Sequence, residues 1–171
     1  MNLFETERLI VRELTPDDAP FILRLVNDPA WLEFIGDRGV RTVEAAREYL
    51  EARIIRMYRE RGLGLWLVAA KSDGAALGIC GLLKRPTLDD IDLGYAFLPE
   101  FRGRGYAQEA AVATLAHGQS AHGLTRIIAL TAPKNARSIA LLERLGFRFE
   151  CTIPFPTAED TSSLFAWTAP A

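Results

Sequence analysis

Two cysteines and two histidines are all this 171-residue chain holds of the side chains that most readily bind soft metals. Cys80 and Cys151 are far apart, and no CxxC or Cys/His cluster occurs, so neither a structural zinc site nor a disulfide framework is expected. Both thiols are expected to be buried and reduced. A basic surplus is also missing, with 20 Lys and Arg against 22 Asp and Glu and a formal charge of −2. Non-specific nucleic-acid binding depends on neutralising phosphates, so it is not expected, and any positive site must be local. No apolar run approaches the ~18 residues of a membrane span, and "MNLFETERLIVREL" has early acids and no apolar core. No membrane partner is expected, and the cytoplasm is the expected location. Without repeats, linkers or low-complexity segments, residues 1–171 are expected to form one domain.

What is present is a regular alternation of strand and helix patterns. "TERLIVREL" (6–14) alternates as a strand. "TPDD" then starts a helix, with Thr15 as cap, Pro16 in the first turn and Asp18 closing a capping box. Thr42 caps a helix through about Arg61, with an apolar stripe of Ala46, Leu50, Ile54 and Met57. Three strands follow at 65–71, 77–84 and 91–98, separated by turns, as an antiparallel meander. A helix of unusually small residues covers 104–121, and Gly123 is placed to end it. A strand at 125–132, a helix at 135–146 capped by Asn135, and strands at 147–151 and 161–168 complete the chain. The 91–98 and 125–132 strands flank a helix and are expected to be parallel. The fold class is therefore α/β (α+β): a single mixed, mostly antiparallel six- to seven-stranded sheet flanked by about four helices.

"PEFRGRGYAQEA" (99–110) joins a strand to a helix through a basic, glycine-containing turn. A helix start leaves several N–H groups unpaired and carries partial positive charge. Glycine lets the backbone approach a ligand closely, and arginine forms charge-assisted bonds to phosphate oxygens. The stretch is thus a helix-entry turn or an anion site, and a pyrophosphate is the natural guest. A P-loop is absent, and Gln108 stands where a dinucleotide fingerprint needs its third glycine. An RGG-type RNA segment would be longer, and not set between ordered elements.

"RGRGYA" resembles the R/Q-x-x-G-x-G/A signature of the GNAT superfamily of acyl-CoA-dependent N-acetyltransferases, with Arg102, Gly105 and Ala107 at its defined positions. "TERLIVRELTPDDAPFILRLVNDP", "IDLGYAFLPEFRGRGYAQEA" and "NARSIALLERLGF" resemble, in order, segments of the branch that includes the ribosomal-protein N-terminal acetyltransferases. The resemblance implies a fold and a reaction: acetyl transfer from acetyl-CoA to an amine, by direct attack in a ternary complex and with no metal. It implies that the backbone of Phe97 and Leu98 pairs with the pantetheine arm. The amides of Gly103, Arg104, Gly105, Tyr106 and Ala107 would cradle the pyrophosphate, with the Arg102 and Arg104 side chains beside it. Asn135 would bond the pantetheine chain, besides capping its helix, and Arg144 would lie near the cofactor.

Acetyl transfer to an amine needs a neutral nucleophile, donors for the oxyanion and leaving thiolate, and reactants held together. A chain N-terminus titrates near ~7.7–8.0 and a lysine near ~10.4, so an α-amine needs only a weak base. His117 and His122, within and ending a helix, suit surface or capping roles. Asp92 is the candidate base: it shares one strand face with Gly94 and Ala96, opposite Ile91, Leu93, Tyr95 and Phe97. Ser138, in the first turn of its helix, is the candidate donor to the thiolate. No Tyr follows Tyr106, which closes the route used by relatives with a later tyrosine acid. "GQSAHG" has one residue too many for a nucleophile elbow. The expected acceptor is a protein or peptide N-terminus, with a small-molecule amine or a non-catalytic acyl-CoA-binding role as the alternatives. Residues 28–45, including Trp31, Phe34 and Asp37, and the loop 152–160 are expected to shape its site. A monomer or a homodimer is expected.

Overall fold

A computed structural model describes residues 1–154 and 161–171, so part of the expected acceptor loop, 155–160, lies outside the described residues. The sheet has eight strands: β1 (Asn2–Glu5), β2 (Leu9–Arg12), β3 (Leu65–Ala70), β4 (Ala76–Lys84), β5 (Ile91–Phe97), β6 (Arg126–Thr131), β7 (Arg148–Ile153) and β8 (Ser162–Thr168). Their spatial order is β1-β2-β3-β4-β5-β6-β8-β7. Every neighbouring pair is antiparallel except β5 and β6. That parallel pair has a single register match, Asp92 with Ile128.

The eighth strand, one more than the upper expected count, comes from the first residues. The run 6–14 holds only the shorter strand β2, and β1 precedes it. The Thr6 and Leu9 backbones bond across a tight turn, Thr6 N–H to the Leu9 carbonyl at 2.9 Å, and the Thr6 hydroxyl accepts from the Leu9 N–H at 3.0 Å. The turn makes β1 and β2 a hairpin. Cys151 also departs from expectation. Cys80 is buried against the Thr114 hydroxyl, but Cys151 is exposed, because β7 is an edge strand.

The helices are α1 (Ala19–Val26), α2 (Pro29–Phe34), α3 (Val43–Tyr49), α4 (Arg56–Arg61), α5 (Tyr106–His122) and α6 (Ala136–Arg144). Thr42 caps α3 by accepting the Ala45 N–H at 3.1 Å, and a π-helical turn, Leu50–Ile55, joins α3 to α4. Gly62 ends α4 and Gly123 ends α5, both in the left-handed region. α5 crosses β4 and β5 on a stripe of Ala110, Ala111, Thr114, Leu115 and Gly118. A methyl group at Gly118 would lie 2.9 Å from Leu82 Cδ1, so the helix sits directly on the sheet. Beneath it, Leu82, Leu93 and Ile127 are fully buried, and each such side chain stabilises the fold by about 1.5–3 kcal/mol.

Candidate functional site

The sheet opens where β5 and β6 lose their pairing. The chain leaves β5 through a tight turn at Pro99–Phe101, then places Gly103 at φ +74° and Gly105 at φ +81° before α5 begins. Side chains with a Cβ rarely adopt these angles, which explains glycine at both places. A methyl at Gly103 would meet nothing within 4 Å, so this side of the turn is open. The first amides of α5 face the opening without the partners a helix interior would give them.

A brace holds the turn from behind. The Arg8 guanidinium donates to the Arg104 carbonyl at 2.9 Å and to Glu109 Oε2 at 2.7 Å, and lies 4.5 Å from the centre of the Tyr106 ring. Glu109 also accepts the Arg8 N–H at 2.9 Å and the Thr6 hydroxyl at 2.5 Å. These bonds, with burial opposing them, hold its carboxyl below the usual range.

Several expected cofactor residues have other partners. Arg102 does not point freely at a phosphate. Its Nε donates to the Phe97 carbonyl at 3.0 Å and its Nη2 to Asp28 Oδ2 at 2.5 Å. Asp28 is buried and caps α2 through the Ala30 N–H at 3.2 Å. The Leu98 N–H is engaged with the Leu77 carbonyl at 3.0 Å, so that amide belongs to the sheet. Asn135 Oδ1 accepts the Ser138 N–H at 3.2 Å, which leaves its amide nitrogen for a ligand. Arg104 is not on the cavity wall, and its carbonyl is held by Arg8, whereas Arg144 lines the cavity together with Arg137.

Two cavities meet at this opening. One, of about 270 Å³, is bounded by Gly103, Gly105, Ala107, Asn135 and Arg144. The other, of about 510 Å³, runs between the π-helical turn and β5. They share Tyr95, Ala96, Asn135 and Ser138 on one side and Trp31 and Phe34 on the other. Asp37 is absent from both walls, because it pairs with Arg41 at 2.6 Å and accepts the Gly39 N–H at 2.8 Å.

At the shared wall the Tyr95 hydroxyl and Ser138 Oγ are 2.7 Å apart, across 43 residues of sequence. Burial pushes the Tyr95 phenol up to about 12, so it stays protonated at neutral pH. Strand alternation alone puts Tyr95 among apolar core residues, and nothing in the spacing links it to Ser138. Asp92 is fully buried on the larger cavity and bound by Arg85 Nε at 2.6 Å. Burial raises its carboxyl above the ordinary range, while Arg85 and the Leu130 amide hold that rise back.

The braced glycine turn opens on a cavity of about 270 Å³ that adjoins one of about 510 Å³, which leaves room for two reactants side by side. A family model described as an acetyltransferase (GNAT) domain matches residues 8–148. The chain is 30% identical over 151 residues to the uncharacterised protein YkkB of Bacillus subtilis, with 86% of each covered. Among solved structures it is similar to RimL, a ribosomal L7/L12 alpha-N-protein acetyltransferase in complex with coenzyme A, with a TM-score of 0.83, 19% identity and 98% of each chain covered. It is also similar to the ribosomal-protein-S5-alanine acetyltransferase of Vibrio fischeri, with a TM-score of 0.79, 22% identity, and 96% of this chain and 95% of that one covered. At such identities the structural likeness establishes the fold alone.

Proposed function

Because this chain belongs to the GNAT family and is an acetyl-CoA-dependent N-acetyltransferase, we propose that its acceptor is the α-amine of a peptide or protein N-terminus. The observation that carries this reading is the ion pair at Asp92. Among the described residues it is the only carboxylate on the larger cavity, and Arg85 restrains it as a base. Such a base is poorly matched to a lysine near ~10.4 but adequate, through water, for an α-amine near ~7.7–8.0. The solved structures of two ribosomal-protein acetyltransferases with the same fold support the same class of acceptor.

In this reading the turn 103–107 and the amide nitrogen of Asn135 hold acetyl-CoA, which supplies the acetyl thioester. Arg144 and Arg137 add positive charge along it. The edge of β5 that β6 leaves unpaired faces the pantetheine arm, and the Phe97 carbonyl, which already accepts Arg102 Nε, has one lone pair left for it. The amine nitrogen forms the new C–N bond as the C–S bond breaks. Its proton leaves through water toward Asp92, and the thiolate leaves against the Ser138 hydroxyl and later takes a proton from solvent. Either hydroxyl can donate in the 2.7 Å pair, and the Tyr95 O–H also has the Ser138 carbonyl at 3.3 Å; in this reading Tyr95 donates to Ser138 Oγ, which leaves the serine's own proton for the sulfur. No cysteine takes part: burial pushes Cys80 up to about 12, and Cys151 lies on the outer strand.

The test is acetyl transfer to peptides with a free or a formylated N-terminus, each carrying an internal lysine. Mass spectrometry should place the acetyl group on the free α-amine. Equal acetylation of the formylated peptides, at lysine, would overturn the α-amine reading.

Two variants report on the individual roles. Tyr95→Phe should lower kcat by about 2- to 12-fold and leave CoA affinity unchanged, since it removes one neutral hydrogen bond of about 0.5–1.5 kcal/mol. Combined with Ser138→Ala it should add little further loss, and full additivity would separate the two residues. The second concerns pH. Below the ~7.7–8.0 of an α-amine kcat/KM falls as the nucleophile protonates; with Asp92 as base the acid limb steepens again above the ordinary carboxylate value of about 3.9, and Arg85→Gln moves that second break higher. The same raised affinity for a proton makes stability due to this group fall as pH rises from about 3.9 through its folded value, and Asp92→Asn should abolish that slope. An acid limb indifferent to Arg85→Gln would remove Asp92 from the proton path.

A further inference from the structure

The larger cavity carries an uneven charge. Arg38, Arg53 and Arg85 line it, against Asp92 as the only carboxylate among its described lining residues. Arg85 is matched by Asp92. Among the described residues, no ion pair joins Arg38 or Arg53 to a carboxylate, although their neighbours Arg41, Arg56 and Arg59 are paired with Asp37, Glu60 and Glu51. A chain with an overall charge of −2 thus presents two unmatched cations at one opening.

The charges are also ordered by depth. Asp92 is fully buried near Ser138 and Tyr95, while Arg38 and Arg53 are exposed. Arg53 lies in the π-helical turn, a rare geometry that occurs frequently at functional sites. The wider turn carries Arg53 and Ile54 on the cavity wall, and Met57 follows in α4. An amine entering this cavity meets a carboxylate at the bottom and two guanidinium groups at the rim.

Building on the α-amine reading above, we infer that the preferred acceptor is an acidic N-terminus, with carboxylates in the residues that follow its amine. Arg38 and Arg53 select it at the rim, and Asp92 receives its amine. Exposed pairs are individually weak, so the selectivity is modest and sensitive to salt. Rim charges act on encounter more than on the bound state.

The experiment compares three peptides that share a tail and begin Ala-Asp-Asp, Ala-Ser-Ser or Ala-Lys-Lys, with free aspartate and glutamate as further acceptors. At low salt, kcat/KM for the acidic peptide should exceed the neutral one by about 5- to 10-fold, and the gap should close near 0.5 M salt, where screening reaches about 3–4 Å. The double variant Arg38→Glu, Arg53→Glu should invert the order while CoA affinity and Tm stay as in the parent. Equal turnover of all three peptides, or an order unmoved by charge reversal, overturns the inference and leaves acetyl transfer standing. Turnover confined to the free acidic amino acids overturns the peptide assignment of both readings. If no amine is acetylated, calorimetry of the same peptides on CoA-loaded protein decides. Preferential binding of the acidic peptide then sustains the rim assignment and removes the proposed reaction, and binding without preference overturns both.

Discussion

Gly105→Glu should weaken CoA binding by about 100-fold or more, equivalent to ~2.8 kcal/mol, with little change in far-UV circular dichroism. Two effects combine. Gly105 stands at φ +81°, where a residue with a Cβ costs about 1–3 kcal/mol, and the turn relieves that strain by leaving its shape. The new Cβ would also lie 3.3 Å from Arg8 Nη2. The glutamate carboxylate therefore competes for the guanidinium that holds the Arg104 carbonyl, while adding negative charge beside a pyrophosphate. Isothermal calorimetry measures the result directly. A variant that keeps CoA within threefold of the parent would show that the pyrophosphate lies elsewhere. Gly105→Ala, with strain but no charge, should lose less.

Ser138→Ala should lower kcat by roughly 100-fold, at the low end of what removing one preorganised donor to a developing anion costs, with CoA affinity within about threefold. The separation follows from geometry. Ser138 Oγ bonds Tyr95 at 2.7 Å on the wall shared by both cavities, on a different element from the glycine turn proposed to hold the phosphates. The cap of α6 survives, because it uses the serine N–H rather than its hydroxyl. Pre-steady-state measurement of thiol release isolates the affected step. Turnover equal to the parent would exclude Ser138 from the mechanism.

Much of the frame was legible because its signals are local. Thr42, Gly123 and Asn135 mark helix ends by rules that span three or four residues, and each acts as expected. The glycine turn between strand and helix needed only its own residues to be recognised, and the parallel match of β5 with β6 follows from the helix between them. Contacts between distant segments were not legible. Arg8 reaches Arg104 across 96 residues, and Arg102 reaches Asp28 across 74. Spacing shows that Arg102 stands at the turn but not that a buried carboxylate will turn it away from the ligand. Alternation in β5 put Tyr95 with the apolar residues, which is right for its ring and silent about its hydroxyl. The hairpin at Thr6 was missed because "TERLIVREL" alternates through the turn, and a side-chain hydroxyl rather than a glycine closes it.

The close seating of α5 has a consequence for cooperativity. Gly118 lies twelve residues along the helix from Tyr106, about 18 Å at 1.5 Å per residue. With Ala110, Ala111, Thr114 and Gly118 beside a single leucine on the sheet side, the helix lies close on β4 and β5 and cannot lift without opening the buried core. The glycine turn before Tyr106 is the front end of that same rigid body. It therefore opens with the whole protein rather than as a separate mobile rim, and substitutions far back at Gly118 or Leu82 act on the binding turn through the helix itself.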